Sequence, residues 1–188
     1  VHTEPEYGVD VIRRFWEETA GNSPDSLGAI KRMISHFTAS RSLDDLFRDF
    51  AVASYTKDLD LSSIANAGRY RYIDDDTAAY PDVQTHLRQT FPPTIGPTAA
   101  HVNDYAAKYY IGQPAANTAG QVVGFKSTGG RAAYSVMAIR SGKVVSLHRG
   151  VGTEYARSFF NSRKTPLSEI AAVVAGLDSG ADISYKFA

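Results

Sequence analysis

Cysteine is absent from all 188 residues, and that absence excludes disulfide scaffolds, thiolate zinc sites, iron–sulfur clusters and cysteine nucleophiles. It leaves the compartment open. Long apolar runs are missing too. The longest, Ile170 to Gly176, has the length of a buried strand, whereas crossing a bilayer takes roughly 20 residues, so no membrane span is expected. Neither sign of charge is in excess, with 20 Lys+Arg against 20 Asp+Glu. A nucleic-acid partner normally demands a basic surplus to neutralise phosphates, so none is expected. There is no His-Glu-x-x-His, no Gly-x-Ser-x-Gly, no internal repeat and no low-complexity tract.

The even balance hides a gradient. Residues 1–60 hold 11 acids and 7 bases, residues 61–98 hold 4 and 3, and residues 99–188 hold 5 and 10, giving net charges of −4, −1 and +5. Attraction between the two ends accounts for this pattern, and a basic face for a polyanion is the alternative.

The first 58 residues read as helices. Val11, Ile12, Phe15 and Trp16 recur at helical spacing, with Arg13, Arg14, Glu17 and Glu18 on the opposite face. Ser23-Pro24-Asp25 is a helix start, and Leu27, Ile30, Ile34 and Phe37 form the stripe that follows. Ser42 opens a third helix, with Asp44 and Asp45 at the positive end of its dipole and Leu43, Leu46, Phe47, Phe50 and Ala51 on one face. Trp16 and Phe50 are expected to be buried, so Trp16→Ala should cost about 3–5 kcal/mol.

Past Asp58 the pattern changes to period two and to continuous apolarity. Strands are expected at Arg69–Ile73, Ala100–Ile111, Gln121–Ser127, Ala132–Arg140, Lys143–Leu147, Glu154–Phe159, Ile170–Gly176 and Ile183–Phe187. Ser141-Gly142 reads as a hairpin turn. The proline-rich stretch Ala78–Pro97 reads as an ordered loop with one helical turn at Val83–Arg88. The expected fold is α+β: a three-helix segment, 1–58, packed with an antiparallel, jelly-roll-like β-sandwich, 59–188.

Sites for chemistry are sparse. No two of His2, His36, His86, His101 and His148 lie within four residues of each other, which rules out a helical zinc-binding pair. A dispersed Ser-His-acid site would need His101 or His148 to gather a serine and a carboxylate. Asp74-Asp75-Asp76 offers the oxygen ligands of a structural calcium, although its spacing equally suits a solvated turn. Tyr109, Tyr134, Arg149 and Arg157 are the candidates for a sugar- or polyanion-binding sheet surface.

Two sets of segments resemble a known family. The first is Val9-Asp10-Val11-Ile12-Arg13-Arg14-Phe15-Trp16-Glu17 with Ala29-Ile30 and the helix Ser42–Ala53. The second comprises Tyr105–Tyr110, Gly142–Val145, Ala171–Leu177 and Asp182–Ala188. Together they are similar to the end of the catalytic region, and the β-sandwich after it, in secreted bacterial metalloprotease-like proteins. The resemblance implies a secreted or cell-surface protein and an upstream catalytic domain in the same polypeptide, with this chain as its non-catalytic, accessory C-terminal part. It supplies no catalytic residue, since the zinc motif has no counterpart here. The start at Val1 rather than Met suits a processed product or a piece of a longer chain. The other reading is a stand-alone carbohydrate- or polyanion-binding sandwich module.

Overall fold

Ser42 and Asp45 build a capping box. The Asp45 amide donates to the Ser42 hydroxyl at 3.2 Å, and the Ser42 amide donates back to the Asp45 carboxylate at 3.1 Å. This starts helix α3, Leu43–Thr56, after α1, Asp10–Gly21, and α2, Ser26–Phe37. The computed structural model describes residues 10–21, 26–37, 41–70, 82–90, 98–114, 120–162, 164–177 and 181–187. The start signal at Ser23-Pro24-Asp25 and the Asp74-Asp75-Asp76 cluster lie outside them. Two compact units divide the chain between Phe50 and Ala51, inside α3.

In the first unit, Met33, Ile34 and Leu46 are buried, with Phe15, Ile30 and Leu43 packed against them. Glu18 ties α1 to α2 by accepting from Arg32 Nε at 3.1 Å and His36 Nε2 at 2.9 Å. The expected burial of Trp16 and Phe50 is corrected, since they are 65% and 57% exposed. Successive residues on a helix stand about 100° apart, so with Phe15 facing inward its neighbour Trp16 points away.

The second unit is a two-sheet sandwich. Its nine strands among the described residues are β1 (Thr85–Thr90), β2 (Thr98–Val102), β3 (Ala107–Gln113), β4 (Gly120–Thr128), β5 (Ala132–Arg140), β6 (Lys143–Gly152), β7 (Glu154–Phe160), β8 (Glu169–Gly176) and β9 (Ala181–Phe187). Sheet A has the order β1-β3-β8-β5-β6 and sheet B the order β2-β9-β4-β7. All ladders are antiparallel except β1 with β3, which is parallel. The α+β class with helices at the N-terminal end is as expected from the sequence.

Three local expectations are corrected. Arg69–Ile73 is not a strand where it is described, because Ala67–Tyr70 is a 3₁₀ turn that buries Tyr70. The single strand Ala100–Ile111 is two: β2 belongs to sheet B and β3 to sheet A, joined through Tyr105 at φ 44°. The helical turn at Val83–Arg88 is instead taken over by β1, which completes its backbone hydrogen bonds along the β3 edge. Ser141-Gly142, by contrast, is a hairpin turn as expected, with φ of 48° and 76°.

Facing side chains of the two sheets form the main core, including Tyr110, Tyr134, Val136, Ile170 and Val174 from sheet A and Val123, Phe125, Phe159, Ile183 and Tyr185 from sheet B. The opposite face of sheet A is also covered. Ala51, Val52, Leu61 and Tyr70 pack there on Met137, Ile139, Ala171 and Val173. Being covered on both faces is why β5 and β8 read as unbroken apolar runs. Sheet B has the contrasting pattern, with β4 alternating between buried positions and exposed or half-buried ones.

Candidate binding surface on the second sheet

Alternation along β4 sends Val123 and Phe125 into the core and Val122, Gly124 and Lys126 to the outer face of sheet B. The β4–β7 register sets Gly124 opposite Ala156 and Lys126 opposite Glu154. On one face of a sheet, residues i and i+2 are separated by about 7 Å. The small pair Gly124 and Ala156 therefore opens a furrow between the neighbouring pairs. Such a furrow of about 490 Å³ lies over Gly124 and Ala156, with Ser184 of β9 on one side.

One wall is the cross-strand ion pair between Lys126 Nζ and Glu154 Oε1, 3.2 Å apart. The Ser184 hydroxyl donates to the Lys126 carbonyl at 3.3 Å. Farther along the strands, beyond the furrow's lining, Val122 is 42% exposed and Phe160, opposite Gly120 at the end of β7, is 88% exposed. Farther along the same face, His101 Nδ1 meets Asp182 Oδ1 at 2.8 Å. The surface thus combines a nearly bare floor, the Lys126–Glu154 ion pair, the more distant His101–Asp182 pair and the exposed Phe160 ring.

The four residues singled out from the sequence do not share a surface. Tyr134 is fully buried between the sheets, stacked on Phe125 and Tyr155. Tyr109 lies on the opposite face of sheet A, where its hydroxyl donates to the Ala51 carbonyl at 3.2 Å and its ring stacks on Tyr55. Arg149 sits over the Tyr70 ring at 5.6 Å. Arg157 is on β7, close enough to His148 for its charge to disfavour the imidazolium. Period two is the physical reason: odd and even positions of one strand serve different layers.

Acid–base groups are spread out. Burial lowers the pKa of His148, helped by the Arg157 charge, and its ring lies edge-on to Phe159 at 5.7 Å. Burial, then the Lys108 charge, lowers that of His86, which packs on Tyr110. Burial, followed by the Glu169 carboxylate that accepts its hydroxyl at 3.0 Å, raises the pKa of Tyr55. The His101–Asp182 pair is more than half exposed. Among the described residues, no three His, Asp or Glu side chains group to hold a metal ion. Nor, among these residues, is any helix long and apolar enough to cross a membrane.

Sequence reasoning missed the furrow. Its signal was the alternation of β4 with a glycine at an outward position, legible only once Ala156 is known to lie opposite it.

No family model matches the chain, and no curated protein does. Among solved structures, the chain is similar to the pre-peptidase C-terminal domain of collagenase from Bacillus anthracis, at 10% identity and a TM-score of 0.39 over 57% of this chain and 98% of that one. It is also similar to tripeptidyl peptidase 2, at 9% identity and a TM-score of 0.40 over 56% of this chain, spanning 10% of that protein's length. At these values the likeness decides neither fold nor function.

Proposed function

We propose that this chain is the non-catalytic, accessory part of a secreted bacterial metalloprotease-like protein, and that the outer face of sheet B holds substrate or cell-envelope material for the catalytic part. The observation that carries the binding role is the asymmetry of the sandwich. Sheet A is covered on both faces, whereas sheet B turns outward a furrow with the exposed Phe160 ring nearby. The attachment to a catalytic domain and the secretion rest on the sequence resemblance. The polyanion reading draws less support, because Arg149 and Arg157 stand on different sheets.

The test is retention of the purified chain on immobilised casein and on cell-wall polysaccharide. Gly124→Leu fills the furrow without strain, since a Cβ there would meet nothing closer than the Tyr155 carbonyl at 4.0 Å. Retention on one of the two matrices, lost in Gly124→Leu and in Phe160→Ala, is the expected result. No retention on either, or equal retention of the furrow-filled variant, overturns the reading.

A further inference from the structure

β7 is the last strand of sheet B, and among the described residues no backbone hydrogen bond reaches its far side. An unpaired edge is a template for another strand. Proteins usually blunt such edges with proline, lysine, a bulge or very short length. β7 lacks proline, lysine and a bulge and runs seven residues, Glu-Tyr-Ala-Arg-Ser-Phe-Phe, in unbroken register with β4; the one protective device of this kind that it carries is the charge of Arg157, between the core-packed Tyr155 and Phe159.

The strand is also self-complementary. Set antiparallel against a copy of itself about a two-fold axis through Ala156, it brings Tyr155 opposite Arg157 and Glu154 opposite Ser158, each pair twice. The single cation meets an aromatic ring, the single acid meets a hydroxyl, and no like charges are directly opposite, the two Arg157 side chains being diagonal neighbours about 7–8 Å apart. At the axis itself two alanines meet, so nothing bulky blocks approach. The exposed Phe160 ring reaches past the ladder toward the partner's end of β6, where Gly152 presents no side chain. Faces are preserved by this axis, so the furrow over Gly124 and Ala156 continues into its own copy across the joint.

From this geometry we infer that β7 is a homodimer interface, through which a second copy of the chain extends sheet B from four strands to eight. The inference does not rest on the proposed binding role, and the two are read by different measurements, mass in one case and retention in the other.

The chain has no cysteine, so Ala156→Cys introduces a single thiol at the axis. Directly opposed residues of an antiparallel pair have Cα atoms about 4.5–5.5 Å apart, inside the disulfide range. Ser158→Cys, on the same face, would lie about 14 Å from its own copy. Under mild oxidation Ala156→Cys should form a covalent dimer that doubles the mass on a non-reducing gel, and Ser158→Cys should stay single. Independently, sedimentation of the 188-residue chain should show a concentration-dependent doubling of mass. Ala156→Lys and Ala156→Glu should each abolish that doubling, and an equimolar mixture of the two should restore it. A wild-type chain that stays monomeric through the micromolar range overturns the inference. So do equal crosslinking at the two positions, or folded Ala156→Lys that still dimerises.

Discussion

Arg41 and Asp49 form an ion pair almost wholly withdrawn from water, their side chains 6% and 5% exposed. Neither charge has bulk solvent to fall back on, and Asp49 also lies 3.7 Å from Arg48 Nε. Removing one partner of such a pair costs about 3–5 kcal/mol, while exchanging both for apolar groups of similar size is often neutral. Asp49→Ala should therefore destabilise the helical unit by about 3–5 kcal/mol, whereas Arg41→Met with Asp49→Leu should recover most of that loss. Denaturant unfolding followed by helical circular dichroism decides, and equal losses in the single and double variants would contradict the pairing.

Trp16→Ala should be mild. The ring is 65% exposed, so the loss falls to about 1 kcal/mol or less, the scale of a surface change, instead of the value a buried ring would give. The same unfolding measurement, run on the isolated chain, checks this. A loss above about 3 kcal/mol would mean that the ring is buried in solution.

Acid should loosen the helical unit through Glu18. The hydrogen bond from His36, followed by that from Arg32, outweighs burial and holds the Glu18 carboxyl below its usual 4.5. A carboxyl depressed in the folded state adds stability above its unfolded pKa and loses it as pH falls through the folded value. The unit should thus lose thermal stability below about pH 4.5 more steeply than Glu18→Gln does. Parallel declines of wild type and variant between pH 6 and pH 3 would rule this out.

Gly176 should accept no side chain. A Cβ built there would lie 2.3 Å from the Asn103 carbonyl oxygen, which is backbone and has no flexible end to move aside. The Gly176 amide donates to Ala106 and its carbonyl accepts from Tyr105, so the whole β2–β3 connection would shift. Gly176→Ala should cost about 1–3 kcal/mol, as overpacking does. An unchanged melting temperature would show that the connection yields freely.

The helices and most of the strands were legible because their signals are local. Ser42 with Asp45 spells a cap within four residues, and Gln121–Ser127 alternates within one strand. β1 was not legible, because Thr85–Thr90 carries no apolar period of its own and becomes a strand only by completing hydrogen bonds along β3. The break within Ala100–Ile111 was hidden for a related reason: Asn103–Ala106 changes sheets, a decision taken by Gly176 packing against Asn103 from 73 residues farther along.

The candidate site shows the same division. By itself the sequence determined the class of fold, the absence of thiol chemistry and the start of the third helix, since these follow from composition and from periods of 3.6 and 2. Only the tertiary structure decided that Tyr109, Tyr134, Arg149 and Arg157 belong to separate layers and that Gly124 meets Ala156 beneath an open furrow. Which strand lies beside which depends on pairings between distant segments, and no local period records them.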